Sequence, residues 1–79
     1  PPRPAVLETP LRKKAGRLEW VLGVVRETAR GPVVRPCDHQ GSHMLSGRAA
    51  ANCLIALPPG MIDPPAGASV QVEPLAWDA

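Results

Sequence analysis

Apolar and polar positions alternate along this chain in short runs, and almost every run stops at a proline or glycine. Ala5-Val6-Leu7-Glu8 predicts a short edge strand closed by Pro10. Leu18 to Glu27 is the strongest strand signal, rich in valine and carrying Trp20, with Gly23 in its middle where a bulge or sharp bend would need it. Thr28-Ala29-Arg30-Gly31-Pro32 predicts a hairpin-type turn, Val33-Val34-Arg35 the return strand, and Pro36 its stop. Cys37 to Gly41 reads as a loop. Ser42 can then cap a short helical stretch from His43 to about Ala51, which Asn52 ends as a C-terminal cap. Cys53 to Leu57 predicts a buried strand broken by Pro58-Pro59-Gly60, and Met61 to Gly67, with Pro64-Pro65, a loop. Ser69-Val70-Gln71-Val72-Glu73 alternates with period two and forms the last strand, Val70 and Val72 pointing one way. Short strands, Gly/Pro turns and one short helix predict an all-β, compact barrel-like fold. No internal repeat is visible.

Composition narrows this picture. At 79 residues the chain supports one domain, and a domain of that size hides only roughly 60–65% of its unfolded surface. The hydrophobic fraction of 44% excludes disorder throughout. With Trp20 and Trp77 as the only aromatic residues, the core has to be built from Leu, Val, Ile, Ala and Met. Eleven prolines and seven glycines leave little room for long helices. The chain is too short and too poor in catalytic groups to be a complete enzyme alone. Pro1-Pro2-Arg3-Pro4 reads as an extended linker, so residues 1–10 are expected to be linker and first strand of a longer protein and residues 11–79 its β domain.

The longest apolar run, Cys53 to Leu57, is far short of the roughly 18 residues a membrane-spanning helix needs, and no signal peptide is recognisable. Two cysteines, Cys37 and Cys53, are too few for a disulfide framework and fit reducing conditions. A soluble, cytoplasmic protein with no membrane partner is the expectation. The net charge of +2 is unevenly spread: Arg12 to Arg48 carries +5, and everything from Ala49 onward carries −3. The basic half could hold an anion. Nucleic acid fits poorly, because Phe and Tyr are absent and the basic residues are scattered.

The densest polar cluster is Cys37-Asp38-His39-Gln40-Gly41-Ser42-His43, and four readings compete for it. Cys37, Asp38, His39 and His43 are all metal-ligand types, but Gly41-Ser42 interrupts the helix that an HxxxH pair needs. Ser42 or Cys37 could act as a nucleophile beside a histidine, yet no G-x-S-x-G elbow surrounds Ser42. The cluster could simply be a turn whose polar groups satisfy one another. The fourth reading is an anion-binding helix start, with Gly41 allowing close backbone approach, Ser42 supplying a hydroxyl, and free amides facing outward. Gly41-Ser42-His43-Met44 also matches a scar left by expression vectors, but Asp38-His39-Gln40 precedes it and it reads as native.

From about Leu11 to Pro74 the chain resembles the C-terminal domain of the molybdopterin molybdenumtransferases, the family that includes the gephyrin E-type proteins. Four blocks in order carry the resemblance. They are Lys13-Lys14-Ala15-Gly16-Arg17-Leu18-Glu19-Trp20, Asp38-His39-Gln40-Gly41-Ser42-His43-Met44-Leu45-Ser46, Ala51-Asn52-Cys53-Leu54-Ile55-Ala56-Leu57-Pro58, and Gly67-Ala68-Ser69-Val70-Gln71-Val72. The resemblance implies a small incomplete barrel of bent β-ribbons, β-clip-like, as the last domain of an elongated homodimer. It implies that the full-length parent inserts molybdate into adenylylated molybdopterin, using Mg2+, during molybdenum cofactor biosynthesis. Mg2+ and adenylylated molybdopterin would be bound mainly by other domains, so this domain alone would be inactive and hold no catalytic residue or metal. The matching positions make Arg17 and Ser42 the expected molybdate contacts, with His39, Gln40 and Gly41 shaping the loop. A guanidinium and a hydroxyl suit a tetrahedral dianion. The chain departs from the family pattern at Gly47-Arg48, at Trp20 where Phe or Tyr is commoner, and in the Pro-rich loop Pro58 to Pro65. The alternative is a scaffolding module that binds peptides by strand addition at an exposed edge.

Overall fold

The alternating runs fold into strands, and glycine and proline set most of their ends. The computed structural model describes residues 1–37 and 51–75. Within them the chain forms β1 (Arg3–Leu7), β2 (Glu19–Thr28), β3 (Gly31–Pro36), β4 (Cys53–Leu57) and β5 (Ser69–Pro74). No helix occurs among the described residues.

β2 is twice the length of β4 and serves two neighbours. Its first half, Glu19 to Gly23, runs antiparallel to β4, and its second half, Gly23 to Thr28, runs antiparallel to β3. Gly23 is where the partners change, as expected of a bend in that strand. A Cβ there would lie 2.8 Å from Ile55 Cδ1 and 2.9 Å from the Arg35 carbonyl oxygen, so only glycine fits without a shift. The turn between β2 and β3 is tight. Thr28 pairs with Gly31, whose φ of +107° suits glycine. Thr28 Oγ1 donates to the Gly31 carbonyl oxygen and accepts from the Arg30 amide.

The sheet differs from expectation in how it ends. β1 is not an edge strand: it pairs antiparallel with β5 and parallel with β3. The order β1-β3-β2-β4-β5 therefore closes on itself, and the barrel is closed, not incomplete. Closure gives every strand two neighbours, although each half of β2 pairs along its length with one of them. The predicted helix falls on positions 43–50, outside the described residues, but its last position, Ala51, is not helical. Asn52 does something other than cap a helix. Its side-chain Oδ1 accepts from the Val25 amide at 2.8 Å and its Nδ2 donates to the Val25 carbonyl at 2.9 Å. That side chain continues the β4 side of the ladder past the point where β4 begins.

Period-two alternation delivers the core. Ala5 and Leu7 of β1, Val34 of β3, Cys53, Ile55 and Leu57 of β4, and Val70 and Val72 of β5 are all buried together. Leu11, Val21, Val25 and Met61 pack against them. Burial of these aliphatic side chains, each worth about 1.5–3 kcal/mol for the larger ones, is the main force holding the barrel shut.

Candidate functional site

One end of the barrel gathers the connection from β1 to β2 and the connection from β4 to β5. The second of these contains the Pro-rich loop, and the two segments run past each other joined by backbone hydrogen bonds. The Leu11 amide donates to the Pro64 carbonyl at 3.0 Å, and the Gly16 amide to the Pro59 carbonyl at 2.9 Å. Between them Lys13 and Asp63 form a two-way clasp. The Lys13 amide donates to Asp63 Oδ1 at 2.8 Å, and the Asp63 amide donates to the Lys13 carbonyl at 2.9 Å. Asp63 reaches this geometry with φ of +38°, in the left-handed region that Asp tolerates better than most residues. Lys13 is only 3% exposed, and its Nζ donates to the Lys14 carbonyl at 2.7 Å. A buried lysine thus ties down the loop that carries its exposed basic neighbours.

Two adjoining clefts open along this clasp. The first, about 320 Å³, is lined by Pro10, Leu11, Arg12, Asp63 and Pro65. The second, about 310 Å³, is lined by Arg12, Lys13, Lys14, Glu19 and Asp63. Arg12 and Asp63 belong to both. Two arginines of the barrel are paired: Arg3 with Glu27 at 2.6 Å, and Arg26 with Glu8. Among the described residues, the side chains of Arg12, Lys14 and Arg17, like those of Arg30 and Arg35, have no such carboxylate partner.

Of the two expected molybdate contacts, Arg17 lies in the exposed turn just before β2. It follows Gly16, whose φ of +121° fixes the turn. Ser42 lies outside the described residues, as do the loop-shaping positions His39, Gln40 and Gly41. The described residues on either side of that segment are anchored on β2. The Cys37 amide donates to the Leu22 carbonyl and the Asn52 amide to the Gly23 carbonyl.

Among the described residues no group of three or more His, Cys, Asp or Glu could hold a metal ion. Of the metal-ligand types around Cys37, Asp38, His39 and His43 lie outside them. Cys37 and Cys53 are both buried. Burial, and secondarily Cys37, pushes the Cys53 thiol up to about 11, so it is protonated and unreactive at neutral pH.

Neither the clasp between Lys13 and Asp63 nor the pairing of the Asn52 side chain with Val25 was expected from the sequence, where Asn52 stood as a helix cap. The one cue for Asp63 was its residue type, since Asp is tolerant of turn geometry. Three of the clasp's four hydrogen-bonding groups are backbone, the Lys13 amide and carbonyl and the Asp63 amide, and these leave no trace in sequence.

The fold matches the crystal structure of a molybdopterin biosynthesis MoeA protein from Pyrococcus horikoshii OT3 with a TM-score of 0.72, at 22% identity. The match covers 94% of this chain and 18% of that one, so the chain spans less than a fifth of that protein's length. Residues 4–75, nearly the whole chain, match the family model described as the MoeA C-terminal region, domain IV, and the chain belongs to that family.

Proposed function

We propose that this chain is the C-terminal domain of a molybdenum cofactor biosynthesis enzyme and contributes part of the site that handles molybdate. The observation that carries this reading is the domain IV match over residues 4–75. Arg17 supports it locally: an exposed guanidinium, on a turn held by the Gly16 to Pro59 hydrogen bond, with no carboxylate partner among the described residues. A guanidinium so placed can donate two parallel hydrogen bonds to a tetrahedral oxyanion. In this reading Ser42 adds a hydroxyl donor. Mg2+ and adenylylated molybdopterin are held by the remainder of a homodimeric parent protein, and the reaction takes place in the cytoplasm.

The test is molybdate insertion by the full-length parent carrying Arg17→Ala or Ser42→Ala. Each substitution removes a donor to the oxyanion, and the expected loss is about 10- to 100-fold in rate at limiting molybdate. Wild-type rates in both variants remove these residues from the site. The scaffolding alternative gains no support from the fold, since the strand order closes on itself.

A further inference from the structure

We propose that the paired clefts along the Lys13–Asp63 clasp form a binding slot for an organic phosphate, separate from the oxyanion contact of Arg17. The first cleft offers apolar surface from Pro10, Leu11 and Pro65, and the second offers charge from Arg12, Lys13, Lys14, Glu19 and Asp63. A ligand spanning both needs an apolar body and an ionic head. Each cleft reaches the lower limit of about 300 Å³ for small-molecule sites, and because they share Arg12 and Asp63 they extend one another.

The sign of the head follows from which charges are already committed. Asp63 accepts the Lys13 amide, and Lys13 Nζ donates to the Lys14 carbonyl. Arg12 and Lys14 have no carboxylate partner among the described residues, and they outnumber Glu19, a lining carboxylate with no cation paired to it. A guanidinium fork beside an ammonium suits a phosphate dianion better than a singly charged carboxylate. Glu19 and Asp63 keep the slot from being a general anion trap. A bare inorganic anion meets both signs and gains little, whereas a phosphate ester adds apolar contact with Pro10, Leu11 and Pro65. The slot is also formed in advance. Hydrogen bonds from Leu11, Lys13 and Gly16 to the Pro-rich loop hold its two walls together, so little ordering is left to oppose binding.

The experiment follows backbone amide shifts of the isotope-labelled chain during titration with phenyl phosphate, inorganic phosphate, benzoate and molybdate. Phenyl phosphate is expected to saturate with shifts centred on Leu11, Arg12, Lys14 and Asp63, at least about fivefold tighter than inorganic phosphate or benzoate. Combining Arg12→Ala with Lys14→Ala, both at exposed positions, is expected to weaken phenyl phosphate about tenfold or more. Lys14→Gln alone serves as a milder variant with the same expected direction. Equal affinity for the three aromatic and phosphate probes, shifts centred elsewhere, or an undiminished affinity in these variants overturns the proposal. The molybdate arm keeps the two readings apart. Molybdate shifts at Arg17 that survive loss of Arg12 and Lys14 belong to the oxyanion site, and their absence leaves the phosphate result standing.

Discussion

At the residue scale, the most informative side chain is Asn52, because it acts as a piece of backbone. Its amide carries one donor and one acceptor with the spacing of a peptide group, and it satisfies both the N–H and the C=O of Val25. Its own backbone also works, donating to the Gly23 carbonyl and accepting from the Leu75 amide. Asn52→Ala leaves Val25 without its side-chain partners. The expected cost is about 1–2 kcal/mol, since the site is close enough to water for partial compensation. Asn52→Asp is expected to do no better, because it keeps the acceptor for the Val25 amide but sets a second oxygen against the Val25 carbonyl. Urea denaturation measures the loss, and amide exchange at Val25 locates it. An unchanged exchange rate at Val25 in Asn52→Ala denies the side chain its place in the ladder. The sequence pattern offered a helix cap for this residue, and the reason is physical: asparagine mimics backbone equally well at a helix end and beside a strand.

At the element scale, β2 decides the shape of the barrel. A ten-residue strand pairing along its whole length with one neighbour would extend a ribbon, but β2 gives half of itself to β4 and half to β3. Gly23 makes the exchange possible by letting Ile55 and the β3 backbone approach where a side chain would stand. Gly23→Ala therefore forces a shift, with an expected destabilisation of about 1–3 kcal/mol. The two close contacts differ in how they can yield. Ile55 Cδ1 is the end of a flexible side chain, whereas the Arg35 oxygen belongs to the sheet. Ile55→Val removes the first contact only, so the double variant is expected to be more stable than the sum of the two single costs predicts, without recovering wild-type stability. Strict additivity in a thermal-unfolding cycle argues that Ile55 is not what Gly23 accommodates.

At the scale of the whole molecule, what was legible in the sequence and what was not divide along the range of the interaction. The strands at Cys53–Leu57 and Ser69–Pro74 were visible because Val70, Val72 and the apolar run of β4 declare their buried faces locally. The hairpin at Thr28 to Gly31 was visible because its glycine is a local requirement. Arg17, expected as a molybdate contact from the resemblance, lies exposed beside a fixed turn, while Ser42 falls outside the described residues. The parallel pairing of β1 with β3, the closure of the sheet and the Lys13–Asp63 clasp were not visible. Each joins segments far apart in sequence, mostly through backbone groups whose partners no residue type announces. Closure makes β1 a structural strap and not an extension of the linker, and this has a measurable consequence. Leu7 is 1% exposed while its neighbour Val6, on the outer face, is 43% exposed. Leu7→Ala empties part of the core at the seam between β3 and β5, at about 2–5 kcal/mol. A chain of 79 residues has about 4–12 kcal/mol of total stability to lose, so this one change removes a large share of it. Val6→Ala, in the same strand, is expected to cost about 0.5 kcal/mol or less. Urea midpoints for the two variants compare these costs directly, and similar midpoints would mean that β1 lies on the barrel without closing it.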